Sequence, residues 1–331
     1  MKLAFFNTKT YEKIAFEIQN KEFKLDITFF DLGLTKETVS VLKGFEAVCV
    51  FVNDKLDAEL LSSLKAVGVK LIALRSAGFN NVDLVAANSL GIKVVRVPAY
   101  SPSSIAEHAV GLVLTLSRKI HKAYNRVRDG NFSLEGLTGF ELQGKVVGVI
   151  GTGKIGTAFA KIMHNGFGCT VIAYDPNPNH ELEKSGIMYT SLEKIYSESD
   201  IISLHCPLNP ATKHIINSKS FELMKPNILI VNTGRGALID TKAIIEALKK
   251  KQIGQLALDV YEYEDKLFFK DLSDTVIEDD LIERLLTFPN VLITAHQAFL
   301  TDTALTQIAK ITLGNIQSFE KGKKLENEVS A

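Results

Sequence analysis

Three residues of this chain have the types and settings to do polar chemistry on a small anion. Arg235 ends the apolar run Asn227–Val231 inside Val231-Asn-Thr-Gly-Arg-Gly236. A guanidinium presents a planar fork that can hold a carboxylate with two hydrogen bonds, and the flanking glycines expose backbone rather than cover the charge. His296 follows Val291-Leu-Ile-Thr-Ala295, again just past an apolar strand. Glu264 closes Asp259-Val-Tyr-Glu-Tyr-Glu264, past the preceding strand. A carboxylate paired with His296 would favour its charged form, the form that can deliver a proton. Spacing alone does not choose between Glu264 and Glu262. Each residue also has an ordinary reading, as a surface arginine in a turn or a lone structural histidine. His108, His121, His164, His180 and His214 lack a comparable setting.

A second group could hold a dinucleotide. Val146–Ile150 is continuously apolar, as suits a parallel strand buried on both faces. It runs into Gly151-Thr-Gly-Lys-Ile-Gly156. Gly151 can make the tight turn, Gly153 lets backbone approach a pyrophosphate, and Gly156 lets the following helix pack close. That helix start offers free N–H groups and a positive dipole end to phosphates. A tight turn with no ligand would also use glycines, but here a strand precedes, an amphipathic stretch (Thr157–His164) follows, and an acid ends the next strand. The acid is Asp175, about twenty residues on, where a carboxylate accepts hydrogen bonds from ribose hydroxyls. It would repel a 2′-phosphate, and Pro176-Asn-Pro-Asn179 supplies no cation to counter that. NAD is therefore expected over NADP, although an acid at a strand end can also be a simple cap.

More strand ends aim at the same crevice, because ligands of open parallel sheets sit outside the carboxyl ends of the strands. Leu204-His-Cys-Pro207 puts His205 near the expected nicotinamide, as a lining group rather than a proton carrier. Thr233 and Gly234 would bring backbone beside the nicotinamide half. Asp259 would either bind its carboxamide or cap the next segment. Hydride reduction of a 2-keto acid needs a cation for the carboxylate, a proton donor at the carbonyl oxygen and a group that keeps the donor protonated. Arg235, His296 and Glu264 could fill those places.

The elements that must position these groups form two arrays. In the first hundred residues, apolar strands at Lys2–Asn7, Leu25–Phe30, Ala47–Val52, Lys70–Leu74 and Lys93–Val97 alternate with helices such as Asp57–Val67 and Asn81–Ser89. This order predicts a parallel open sheet with helices on both faces. Pro98-Ala-Tyr-Ser-Pro102 is a connection, with Pro102 at the first helical position. One long helix is then expected over 103–129, apolar nearly all round at first and basic later, as suits burial between domains or subunits. A second array follows, with strands at 146–150, 171–174, 200–204, 227–231, 255–258 and 291–294 and a helix over 241–250 capped near Asp240. The acidic stretch 271–283 reads as a solvated surface insertion. An amphipathic helix over 301–321 lies beyond the second sheet and could return to the first. Two sheets joined by two crossings imply a cleft with a hinge.

Bulk composition removes several classes. The chain has 331 residues, enough for two domains, with 46% apolar residues to fill their cores. Lys+Arg and Asp+Glu are 38 each, so nothing favours nucleic acid or a polyanionic surface. Cys49, Cys169 and Cys206 are scattered without metal-ligand spacing, which suits a reduced cytoplasmic protein and no metal. No segment approaches a membrane span, and the start Met1-Lys-Leu-Ala-Phe-Phe-Asn7 is too short an apolar run for a signal peptide.

Together these motifs, with Leu74-Arg-Ser-Ala-Gly-Phe-Asn-Asn-Val-Asp83, Val97-Pro-Ala-Tyr-Ser-Pro102, Ala106-Glu-His-Ala109 and His296-Gln-Ala-Phe299, resemble the D-2-hydroxyacid dehydrogenase family over nearly the whole chain, and within it the fermentative D-lactate dehydrogenase branch. The resemblance implies two doubly wound parallel-sheet domains flanking a cleft. One is a Rossmann-type NAD-binding domain, 101–299. The other is a discontinuous, flavodoxin-like substrate domain, 1–100 plus 300–331. It implies reversible NADH-dependent reduction of pyruvate to D-lactate, with Arg235, Glu264 and His296 as the catalytic trio and His296 as proton donor. It places Lys154, Ile155, His205, Cys206, Pro207 and Thr212 with the cofactor, alongside Gly151, Gly153, Gly156, Asp175, Thr233, Gly234, Arg235, Asp259 and His296. It places Phe51, Ala77, Gly78, Tyr100 and Phe299 with the substrate, alongside Arg235 and His296. It also implies homodimers or homotetramers built on the long helix. Two features depart from the broader family and match the lactate branch. Asp265 begins a longer insertion where proline usually follows the glutamate. Phe299 stands where a small residue is usual, and would close the pocket in favour of a short side chain. A dehydrogenase for a bulkier 2-keto acid and an NAD-sensing scaffold or corepressor are the alternatives. The intact trio and the lack of long disordered tails favour an enzyme.

Overall fold

A computed structural model describes residues 1–331. The chain divides into two compact units, Met1–Ser101 with Leu300–Ala331, and Pro102–Phe299. The first opens with β1 (Lys2–Phe5), α1 (Thr10–Phe23), β2 (Asp26–Phe29), β3 (Ala47–Val50), α2 (Ala58–Ala66), β4 (Leu71–Leu74), α3 (Leu84–Ser89) and β5 (Lys93–Val95). The second carries α4 (Pro102–Ser117), α5 (Ile120–Arg128), β6 (Val146–Ile150), α6 (Lys154–Lys161), β7 (Thr170–Tyr174), α7 (His180–Lys184), β8 (Met188–Tyr189) and α8 (Leu192–Glu198). It continues through β9 (Ile201–Leu204), α9 (Ser218–Leu223), β10 (Ile228–Asn232), α10 (Thr241–Lys249), β11 (Ile253–Leu258), α11 (Asp280–Leu286) and β12 (Val291–Ile293). Helix α12 (Asp302–Glu320) belongs to the first unit.

The first sheet has the order β2-β1-β3-β4-β5, all parallel. That is the flavodoxin-like order. Its central strands β3 and β4 are buried at every position, which is why they read as unbroken apolar runs. Helix α12, capped by the Thr301 hydroxyl on the Ala304 amide, packs on α1. The Asn315 amide donates to the Arg96 carbonyl at 2.9 Å, and Gln317 donates to that of Phe23 at 3.3 Å.

The second sheet runs β12-β11-β10-β9-β6-β7-β8, again all parallel. Counted from β6, this is the Rossmann order extended by one strand. The switch point falls between β6 and β9, so the turn after β6 and the ends of β9 and β10 open on one crevice. Two apolar clusters fill the faces, one built on α4 and α6 and the other on α8, α9 and α10. Asp240 caps α10 on the Ala243 amide. No helix is long and apolar enough to cross a membrane.

Two expectations are corrected, and one short strand was not expected. The helix over 103–129 is two helices, broken at Lys119, which adopts the left-handed conformation (φ 54°). The reason lies far along the chain. The Ser117 carbonyl accepts from the Phe140 amide at 3.2 Å and the Leu116 carbonyl accepts from the Gln255 side chain at 3.1 Å, so tertiary donors compete for the carbonyls at the helix end. Short β8 escaped notice because two residues carry no period. The acidic stretch is not solvated throughout. Asp279 caps α11 and accepts from the Tyr261 hydroxyl, while Ile282 is buried.

Candidate active site

The candidate groups of the second unit lie at or beyond the carboxyl ends of its strands. Gly151 turns the chain after β6 with φ 93°, and its amide donates to the Tyr174 carbonyl at 2.8 Å. A Cβ there would lie 2.4 Å from the Cys206 nitrogen, and one on Gly156 would lie 1.9 Å from the Gly151 carbonyl oxygen. Both glycines are required by the protein's own packing. Gly153 is not, since a Cβ on it would meet nothing within 4 Å. It is the N-cap of α6, where no side chain caps the helix. Orphan amides and a dipole end therefore face open space, the cradle a pyrophosphate needs. Lys154 and Ile155 form the first turn of α6 beside it. The buried Thr233 hydroxyl, at the end of β10, has no partner within the chain. A buried polar atom without a partner is costly, and this one fits the polar edge of a bound dinucleotide.

Asp175, at the end of β7, is half-buried. One carboxylate oxygen accepts from the Thr152 amide (2.7 Å) and hydroxyl (3.2 Å), the other from the Asn177 amide (2.9 Å). Thr152 is held in turn by the Tyr189 hydroxyl at 2.8 Å. The carboxylate is thus fixed against the glycine turn while keeping accessible surface.

After β9, His205 contributes backbone to the crevice and turns its ring inward. Its Nε2 lies 2.8 Å from the Ser203 hydroxyl, and its ring packs against Phe159 at 5.1 Å. Burial pushes its pKa down to about 3, so the ring is neutral. Cys206 packs on Gly151, and burial pushes its thiol up to about 11. Pro207 and Thr212 close a turn in which the Thr212 hydroxyl donates to the Pro207 carbonyl at 2.6 Å.

The three polar residues come from separate strand ends of this one unit. The Asn232 side chain staples the β10 turn, donating to the Arg235 carbonyl at 2.9 Å and accepting from the Gly234 amide at 3.0 Å. Arg235 is half-buried, with Nη1 on the Gly234 carbonyl at 2.8 Å. A Cβ on Gly236 would lie 2.0 Å from the Tyr261 carbonyl carbon, so only glycine lets this turn reach the loop that carries Glu264. Glu264 Oε2 accepts from the Tyr261 amide at 2.9 Å, and Oε1 pairs with His296 Nδ1 at 2.7 Å. That pair decides between the two glutamates, since Glu262 pairs with His214 at 2.7 Å and accepts from the Thr241 amide. With Nδ1 engaged, Nε2 is the ring nitrogen left for a ligand. Phe269 and Phe299 stand against the ring at 5.7 and 6.5 Å.

His296 has φ 53°, an uncommon conformation for a residue with a Cβ. Asp259 holds it there. Its carbonyl accepts from the His296 amide at 2.7 Å, and its carboxylate accepts from the Gln297 and Ala298 amides, both at 2.9 Å. The Thr294 hydroxyl donates to the same carboxylate at 2.5 Å. Asp259 has no exposed surface and makes the cap on the next segment, one of its two expected roles. Burial opposes its charge, while His108 and these donors lower its pKa.

The remaining candidates lie in the first unit. Phe51 follows β3, buried, with its amide donating to Asp54 at 2.9 Å. Ala77 and Gly78 follow β4 in a fixed loop. Arg96 donates to the Ala77 carbonyl and the Ser76 hydroxyl to that of Gly78, both at 2.8 Å. Tyr100 stands in the connection before α4.

Residues 110–298 match the family model described as D-isomer specific 2-hydroxyacid dehydrogenase, NAD binding domain. The chain belongs to the D-isomer-specific 2-hydroxyacid dehydrogenases. It is 54% identical to D-lactate dehydrogenase of Escherichia coli (strain K12), over 99% of this chain and 100% of that protein. Among solved structures it is similar to the pyruvate reductase of Chlamydomonas reinhardtii, with a TM-score of 0.93 and 44% identity over 99% and 98% of the two chains. It is also similar to the NAD-complexed D-isomer specific 2-hydroxyacid dehydrogenase of Lactobacillus delbrueckii ssp. bulgaricus, with a TM-score of 0.81 and 32% identity over the full length of both. As a family member the chain uses NAD, and the glycine cradle and Thr233 described above fit that group.

Sequence reasoning missed several supports of this dehydrogenase site: Thr152 under Asp175, the Asn232 staple, His108 near Asp259, and Phe269 against His296. Asn232 alone had a local signal, a short amide side chain at a turn between a strand and glycines.

Proposed function

We propose that this protein is an NAD-dependent D-lactate dehydrogenase that reduces pyruvate to D-lactate reversibly, with Arg235, Glu264 and His296 as its catalytic residues. The observation that carries the reading is the 2.7 Å contact between Glu264 and His296 beside the Arg235 turn, at the edge of the sheet that opens with the glycine cradle. Gly151, Gly153, Lys154, Ile155, Gly156, Asp175, the 205–207 backbone, Thr212, Thr233 and Gly234 hold the cofactor. Bound NADH supplies the hydride.

The chain's own residues do the rest. Arg235 binds the substrate carboxylate through its planar fork and orients the carbonyl. His296 Nε2 donates a proton to the carbonyl oxygen as that oxygen gains charge, and takes it back in lactate oxidation. Glu264 accepts from Nδ1, fixing the tautomer and orientation of the ring. Asp259 keeps His296 in its strained backbone setting. Phe299 favours a substrate with a short side chain, and Phe51, Ala77, Gly78 and Tyr100 are further substrate-binding residues.

The protein works as a homo-oligomer, dimer or tetramer, in the cytoplasm. The face of α5 bearing exposed Ile120, Tyr124 and Val127 supports assembly, and three free buried cysteines suit a reducing compartment. The test is NADH oxidation with pyruvate, followed by an enantiomer-specific assay of the product. Rapid NADH-linked formation of D-lactate is expected, with phenylpyruvate a poorer substrate. L-lactate, or a preference for phenylpyruvate, would overturn the substrate reading.

A further inference from the structure

The second unit also holds a cluster of cations that the reaction does not use. A cavity of about 270 Å³ lies where α4 gives way to α5, lined by Lys119, His121, Lys122 and Gln255 together with Leu116, Gly254, Pro289 and Asn290. It lies at Gly254 and Gln255, at the start of β11, whereas the candidate active site lies past the carboxyl ends of the strands. No carboxylate lines it. Lys119 donates only to the Gly136 carbonyl, at 2.8 Å, and Lys122 has no ion-pair partner.

Two buried polar atoms on this wall also lack partners, His121 Nδ1 and Gln255 Oε1. The Gln255 amide nitrogen is already spent on the Leu116 carbonyl. Burial lowers the pKa of His121, against a hydrogen bond to the Thr115 backbone that raises it and with Lys122 lowering it further, and burial lowers that of Lys122, with Lys119 and Arg126 adding to it. Gathering like charges and orphaned polar atoms around one cavity costs free energy unless a partner answers them. Equal numbers of basic and acidic residues in the whole chain mean that this is local arrangement, not a general excess of positive charge.

We propose that this cavity binds a small phosphate monoester that carries a free hydroxyl. The dianion answers Lys119 and Lys122. A turn of the two half-buried side chains lets His121 donate to it from Nδ1 and lets Gln255 Oε1 accept from the hydroxyl. The volume, at the low end for ligand pockets, admits a small metabolite rather than a nucleotide.

The test uses the full-length protein saturated with NADH, so that the glycine cradle is occupied. Binding of sn-glycerol 3-phosphate, inorganic phosphate and glycerol is measured by calorimetry at constant ionic strength. Glycerol 3-phosphate should bind saturably, inorganic phosphate more weakly and glycerol not at all. Lys122→Gln, at a half-exposed position that leaves the fold intact, should weaken glycerol 3-phosphate at least tenfold. Gln255→Leu should weaken the ester more than inorganic phosphate. Absence of saturable binding by either anion, or equal affinity in Lys122→Gln and wild type, would overturn the site. Equal losses for both anions in Gln255→Leu would overturn the hydroxyl contact.

Discussion

The two units build the same kind of parallel sheet and finish its carboxyl edge in opposite ways. In the first unit, side chains fill the space beyond the strands. Asn7 follows β1 in the left-handed region (φ 52°), its side chain on Asp54 at 2.7 Å. Arg75 follows β4, fully buried, with Nε on Glu12 at 2.7 Å and its guanidinium against Phe5 and Phe51 at 4.3 and 4.8 Å. In the second unit the equivalent turn is Gly151–Gly156, and the space over Gly153 is open. Topology alone therefore does not make a cofactor site. The turn residues do, by filling the crevice or leaving it clear.

The largest expected effect lies in the filled edge. Glu12→Gln leaves a buried guanidinium without its counter-charge, which should cost about 3–5 kcal/mol. Urea unfolding would read it, and a loss under 1 kcal/mol would mean that the pair is not what holds this edge. Next is Arg235→Gln, expected to lower kcat/KM for pyruvate by roughly 10²-fold, about 2.7 kcal/mol, with Arg235→Lys recovering part of it. Kinetics near wild type for the glutamine variant would remove Arg235 from the site.

A smaller effect separates the two edges most cleanly. Gly153→Ala fills space that only a ligand would use, so it should leave stability within about 0.5 kcal/mol while weakening NADH about tenfold. Equal NADH affinity would show that nothing approaches that backbone. The smallest concerns His205. Its depressed pKa means that the unfolded chain takes up the proton first, so stability falls as pH drops below about 6.5 toward about 3. His205→Gln should therefore unfold at a slightly lower pH than wild type, with an unchanged pH profile of activity near neutrality. A changed neutral profile would give His205 a role in proton transfer.

The glycine turn and both sheets were legible because buried parallel strands are continuous apolar runs and because each fingerprint glycine has a local cause. The break at Lys119 was not legible, since the donors on the α4 carbonyls are Phe140 and Gln255, distant in sequence. Nor was the choice of Glu264 over Glu262. Both lie in one irregular turn with no period to orient them, and His214 and the Thr241 amide, which occupy Glu262, come from other elements. Glu264 and His296 were visible only as polar residues at strand ends, and packing brought that pair together.

The central claim is that the Glu264–His296 pair handles the proton, and steady-state pyruvate reduction by Glu264→Gln tests it most directly, with Glu262→Gln as control. Glu264 accepts from Nδ1 and so orients the ring whose Nε2 delivers the proton. Without that acceptor kcat should fall by about 10²-fold, while Glu262→Gln leaves it within about twofold. An unchanged kcat in Glu264→Gln, or the same loss in Glu262→Gln, would contradict the account.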